Sequence, residues 1–297
     1  MFYGGGDRGK IVESIIRGIR TDEPVLFVHG ERGSGKTLLS LVLSDRLKNR
    51  YNTIRYDVPE VSESLLLRHL LIELCPRKAD LISAEQAQLG ASTESTNTAV
   101  IALVNQLCNS STHRIAKPFV LLLDSNAHVD EKTRRIIEQL VSVRVAGHAI
   151  FHCVIFQRAD AEESKAARFS QATPAPTNQY WLRRLTLAEI NEYLQHHMLL
   201  FDFNQRDLFS REMAYFMADR SEGVFRGINK LARDAFTIAN LESAEKVSMS
   251  HLLMAGLPQK PEASGESGFV VRHRAEVVAL MGLCVVASAA AVVFFVL

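Results

Sequence analysis

The segment Gly30-Glu31-Arg32-Gly33-Ser34-Gly35-Lys36-Thr37 constrains this chain more than any other. It satisfies the pattern G-x-x-x-x-G-K-[ST] at every fixed position. Its glycines let backbone N–H groups turn inward around an anion without Cβ clashes. Lys36 has the reach to neutralise outer phosphates, and Thr37 offers a hydroxyl to Mg2+. Before it, Pro24-Val25-Leu26-Phe27-Val28-His29 has a strand's length and composition, and after it Leu38 to Leu47 reads as a helix. Strand, glycine loop and helix in that order predict a nucleotide phosphate cradle at a helix N-terminus. The expected nucleotide contacts are Gly30, Glu31, Arg32, Gly33, Ser34, Gly35, Lys36, Thr37 and Leu38, with ATP and Mg2+ as the cofactors.

An amphipathic helix comes first, with Ile11, Ile15, Ile16 and Ile19 at helical spacing. Later apolar runs predict further strands at 52–58, 119–124, 148–157 and 180–185, separated by helices at 62–74, 98–108 and 131–143. Polar stretches at 84–97 and 158–179 read as surface loops. Such alternation implies an α/β fold with a parallel five-stranded sheet and helices on both faces. From Leu187 onward the pattern is helical, at 187–199, 205–219, 226–241 and 248–256. The expected organisation is a nucleotide-binding domain over 1–186, a helical lid over 187–256 and a flexible Pro/Gly/Ser/Glu-rich linker over 257–276.

Asp124 closes the apolar strand Phe119-Val120-Leu121-Leu122-Leu123, the place for an acid that holds Mg2+ through water. Many such ATPases follow that aspartate with a glutamate that orients the attacking water. This chain has Ser125 there, and serine is no comparable base. Asp130 and Glu131 read as first-turn acids of the next helix. Loss of a general base lowers a rate by roughly 10²–10⁴-fold, so slow or absent hydrolysis is expected. Gln157 ends a strand at the edge where ligands bind, and Arg226 opens a lid helix after Gly223; both are candidate γ-phosphate contacts.

Lys plus Arg total 34 against 33 Asp plus Glu, so no global basic signal points to nucleic acid. Cys75, Cys108, Cys153 and Cys284 lie far apart and read as buried thiols in a reducing compartment. Val277 to Leu297 carries no charged residue, and as a helix it would span about 31 Å. With Arg272, His273 and Arg274 before it, this reads as a single transmembrane helix with the N-terminal side in the cytoplasm. The expected location is the inner (cytoplasmic) membrane.

The chain resembles the AAA+ ATPases of the general secretion pathway protein A (ExeA) type and their relatives in mannose-sensitive pilus biogenesis and the DamX group. The resemblance rests on Phe2-Tyr3-Gly4, the loop Gly30–Thr37, Val120–Asp124, Gln157, Leu185-Thr186-Leu187-Ala188-Glu189-Ile190 and the S-x-G-x-x-R-x-I-N element in Ser221–Asn229. It implies an AAA+ fold with a helical lid, sensor roles for Gln157 and Arg226, and one membrane span after the ATPase domain. Lys36, Asp124, Gln157 and Arg226 form the expected catalytic set, with Thr37 and Asp124 at the metal. Two departures stand out: Ser125 replaces the family's glutamate, and the family's extracytoplasmic domain after the span is expected to be absent. Arg158, Arg168, Arg183 and Arg184 are candidates for an arginine finger, each expected at the surface.

Three functions follow. The first is a membrane-anchored, homo-oligomeric nucleotide switch or slow ATPase that assembles a cell-envelope machine with a membrane-protein partner. The second is an ATP-dependent DNA-binding regulator of the transposition-ATPase type, which the near-neutral charge and the tail disfavour. The third is a pseudo-ATPase scaffold.

Overall fold

A computed structural model describes residues 2–58, 62–74, 98–106, 117–125, 129–145, 147–159, 178–200 and 209–257. The first helix, α1 (Arg8–Arg20), buries Ile11, Val12, Ile15, Ile16 and Ile19 along one stripe. Strand β1 (Val25–Gly30) leads into the glycine loop, and α2 (Lys36–Leu47) leaves it. Then come β2 (Asn52–Val58), α3 (Glu63–Leu74), a helical stretch at 98–106 and β3 (Phe119–Ser125). Helix α4 (Glu131–Val141) starts at Asp130, whose carboxylate accepts a 2.8 Å hydrogen bond from the Thr133 backbone N–H. Asp130 is therefore committed to capping.

The predicted strand over 148–157 is divided. Arg144–Val145 (β4) pairs antiparallel with His148–Ala149 (β5) around Gly147, and the long strand β6 (Phe151–Arg158) begins after Ile150. Gly147 sits at φ +84°, a turn conformation that period-2 patterning does not reveal. The short strand β7 (Gln179–Leu182) ends three residues before the predicted limit.

The main sheet runs β2-β3-β6-β1-β7, all parallel. Strand order reverses beside β1, so the crevice at the strand C-termini opens where the glycine loop lies. Both faces are covered. Val120, Leu122, Val154 and Phe156 pack with α1 and α2 on one side. Leu121, Leu123, Cys153 and Ile155 pack with α3 and α4 on the other. The Cys153 thiol is buried, and that burial raises its pKa; the other three cysteines lie outside the described residues.

Among the described residues four helices follow: α5 (Leu187–Leu200), α6 (Arg211–Ser221), α7 (Phe225–Leu241) and α8 (Met249–Ala255). They share an apolar core around Ile190, Met217, Ile228 and Leu252. Residues up to Gly256 nevertheless form one compact unit, because the helices are bonded directly to the glycine loop. Among the described residues no helix is long and apolar enough to cross a membrane. The predicted span at 277–297 and the linker from residue 258 lie outside the described residues, as do Asn126, Ala127, His128 and Arg168.

Candidate nucleotide site

The glycine loop is shaped by two left-handed residues, Gly33 at φ +88° and Gly35 at φ +98°. Gly35 caps α2, so that helix begins at Lys36 with its N–H groups facing the loop. Lys36 is buried, and its Nζ donates to the carbonyls of Gly30 at 2.7 Å and Glu31 at 3.0 Å. Burial lowers its pKa and Asp124 opposes that shift, so the Asp124 carboxylate stands near the ammonium.

The Thr37 side chain opposes the rise in the Asp124 pKa, and the Asp124 Oδ2 is buried without a partner among the described residues. Burial pushes the Asp124 carboxyl upward, with the Asp57 carboxylate adding to the push. A buried acceptor paired with a hydroxyl on the same helix turn as the loop lysine fits a hard cation bound with phosphates. Ser34 is also buried, with a hydroxyl that has no partner among the described residues.

Arg226 reaches the loop from the start of α7. Its backbone N–H donates to the Gly33 carbonyl at 3.3 Å. The N-cap Val224 supplies no side-chain acceptor, so the phosphate loop itself caps α7. A Cβ at Gly33 would fall 2.5 Å from the Arg226 Cβ, a contact only glycine permits. The Arg226 guanidinium is exposed and has no protein partner among the described residues.

Lys36, Thr37, Asp124 and Arg226 thus gather at one place. Gln157 is less simply placed: it is buried at the end of β6, opposite His29, and strand alternation puts it on the face of Cys153 and Ile155 rather than that of Asp124. Arg32 is exposed, and Leu38 is 47% exposed.

The sequence profile of the AAA ATPase domain family matches residues 6–155, half of the chain. The chain belongs to the AAA ATPase domain family. Its fold is similar to that of the ORC2 protein of Aeropyrum pernix in ADPNP–ADP complexes, at 13% identity over 86% of this chain and 67% of that one, with a TM-score of 0.54. It is similar also to Cdc6p of Pyrobaculum aerophilum, at 13% identity over 84% of this chain and 66% of that one, TM-score 0.53. The chain spans about two thirds of the length of these relatives. No curated protein gives a sequence match.

Two arginines of this AAA ATPase were misjudged from sequence and one was missed. Arg183 and Arg184 are not free surface groups. Arg183 bonds Asp7 at 2.9 Å and Glu189 at 2.7 Å. Arg184 bonds Glu31 of the loop and Glu222 at the end of α6. Arg8 gave no motif signal, yet it is only 3% exposed. Its Nη2 donates to the carbonyls of Ser34 at 3.1 Å and Arg183 at 3.0 Å, and its guanidinium lies 4.3 Å from the Phe225 ring centre. Burial lowers its pKa to about 10. It ties the N-terminal segment, the phosphate loop and the start of α7 together behind the site.

Proposed function

We propose that this AAA ATPase is a membrane-anchored ATP-binding switch of slow turnover, serving assembly of a cell-envelope machine of the secretion, pilus or division type. The observation that carries the switch is the bond from the Arg226 N–H to the Gly33 carbonyl, which makes the phosphate loop and the first turn of a lid helix one junction. A phosphate that reorders the loop must disturb the start of α7.

In this reading the loop N–H groups and Lys36 bind the phosphates, and Thr37 with Asp124 hold Mg2+. Bound Mg2+ supplies charge neutralisation for the phosphate oxygens. Arg226 adds positive charge from the lid, and the α7 dipole points the same way. Residues 1–186 serve as the nucleotide-binding part and 187–256 as the lid. Ser125 in the usual place of a glutamate supports slow turnover.

The narrower kinship to ExeA-type ATPases, homo-oligomer formation and the envelope partner belong to this proposal. So does anchoring in the inner membrane, which rests on the charge-free run from Val277 to Leu297. The test uses the full chain in detergent micelles, measuring ATP affinity and phosphate release together. Wild type should bind Mg–ATP, and Lys36→Ala should bind at least about tenfold more weakly. Equal affinity in both would remove the reading. For the anchor, loss of residues 277–297 should move the protein from membrane pellet to supernatant.

A further inference from the structure

Asp57 lies next to Asp124. In the parallel β2–β3 ladder the two are register partners, as are Thr53 with Val120 and Arg55 with Leu122. Neighbouring strands stand about 4.8 Å apart, and register partners point to the same face. Which face follows from packing. Ile54 and Tyr56 of β2 join the core on the α3 side, so Thr53, Arg55 and Asp57 face α2. The Thr53 hydroxyl confirms this, 3.3 Å from that of Ser44 on α2. Asp57 thus shares a face with Asp124, Thr37 and Lys36, at the strand ends where the phosphate loop opens. Its carboxylate is close enough to raise the proton affinity of Asp124, and Arg55 stands 3.9 Å from it.

We propose that Asp57 is the general base of this ATPase, supplied by β2 in place of the glutamate that Ser125 displaces from β3. The inference rests on the ATP-binding reading above and names the missing catalytic group. Two carboxylates at one sheet edge have distinct tasks: Asp124 is buried in the neighbourhood of Lys36, whereas the Asp57 side chain, one strand outward, is 33% exposed. In the step, a water oxygen forms a bond to the γ-phosphorus as the bond to the β–γ bridging oxygen breaks. The electron pair leaves with ADP, and the water proton passes to the Asp57 carboxylate, directly or through one further water. The short aspartate side chain and its outward position make this base slower than a glutamate on β3, in keeping with a switch.

The test measures ATP affinity and single-turnover phosphate release on the full chain in micelles, with Lys36→Ala as the zero. Asp57→Asn should keep ATP affinity within about twofold and lower phosphate release by about 10²-fold or more. Ser125→Glu added to Asp57→Asn should restore release, which a merely misfolded variant could not do. Release at the wild-type rate from Asp57→Asn overturns the proposal. So does a loss of ATP affinity equal to the loss of rate, which would make Asp57 a binding group. Normal ATP binding by wild type without release above Lys36→Ala would overturn the base and leave the ATP-binding reading standing; absence of binding would remove both.

Discussion

Arg184 grips Glu31 with two nitrogens, Nε to Oε1 and Nη2 to Oε2, each at 2.8 Å, while its third nitrogen bonds Glu222. The pair is largely buried, 16% and 14% exposed, so it joins the phosphate loop to the segment after β7 in a setting where water competes weakly. Removing one partner strands the other charge. Arg184→Ala should therefore lower unfolding free energy by about 2–3 kcal/mol in urea titrations. Arg184→Lys should recover only part, since an ammonium lacks the fork. An unchanged midpoint for Arg184→Ala would show that the pair contributes nothing.

Glu189 gives a pH signature. The Arg183 guanidinium beside it holds its carboxyl down at about 2, from an ordinary 4.5. Its folded value is the lower one, so its contribution is complete above 4.5 and is lost as pH falls through 2. Between pH 6 and 2.5 this group should remove about 2–3 kcal/mol of stability. Glu189→Gln should start less stable at pH 6 and show a flatter acid limb. Parallel limbs in the two proteins would contradict the assignment.

Gly223 cannot gain a side chain cheaply. It sits at φ +76°, and a Cβ there would fall 2.4 Å from the Leu185 carbonyl oxygen. Gly223→Ala should cost about 2–4 kcal/mol. Gly147→Ala is the control, with φ +84° and open space around the new Cβ; it should cost about 1–2 kcal/mol. Equal melting temperatures for the two variants would refute the clash.

Thr37 separates metal from phosphate. Its hydroxyl follows the loop lysine and acts on the Asp124 carboxyl, so Thr37→Val should remove about a tenfold gain in ATP affinity that Mg2+ gives, and leave affinity in EDTA nearly unchanged. Equal losses with and without Mg2+ would instead place the effect in the loop fold.

The phosphate loop, the parallel strands and the C-terminal helices were legible because their signals are local: a fixed glycine pattern, apolar runs and 3.6-residue periodicity. What was not legible depends on chain separation. Arg184 meets Glu31 across 153 residues and Arg8 meets Arg183 across 175. Nothing in the neighbourhood of either arginine distinguishes it from a solvated one. Asp57 carries no motif signal, and its place beside Asp124 comes only from the register with β3. The break at Ile150 escaped because Gly147 and the strand apolarity give opposite local signals.

The bonding of Gly223 to Leu185 has a mechanical consequence. The Leu185 N–H donates to the Gly223 carbonyl at 2.9 Å, so the chain entering α5 and the turn preceding Arg226 are sewn at one point beside the phosphate loop. That point is a fulcrum with a very short inner arm. Helix α7, of 17 residues, is an outer arm of about 25 Å. A tilt of roughly ten degrees, which shifts Arg226 by less than about 1 Å, carries Leu241 some ~4 Å. Displacements too small to notice at a phosphate become, at the far rim, large enough to make or break a contact with another molecule.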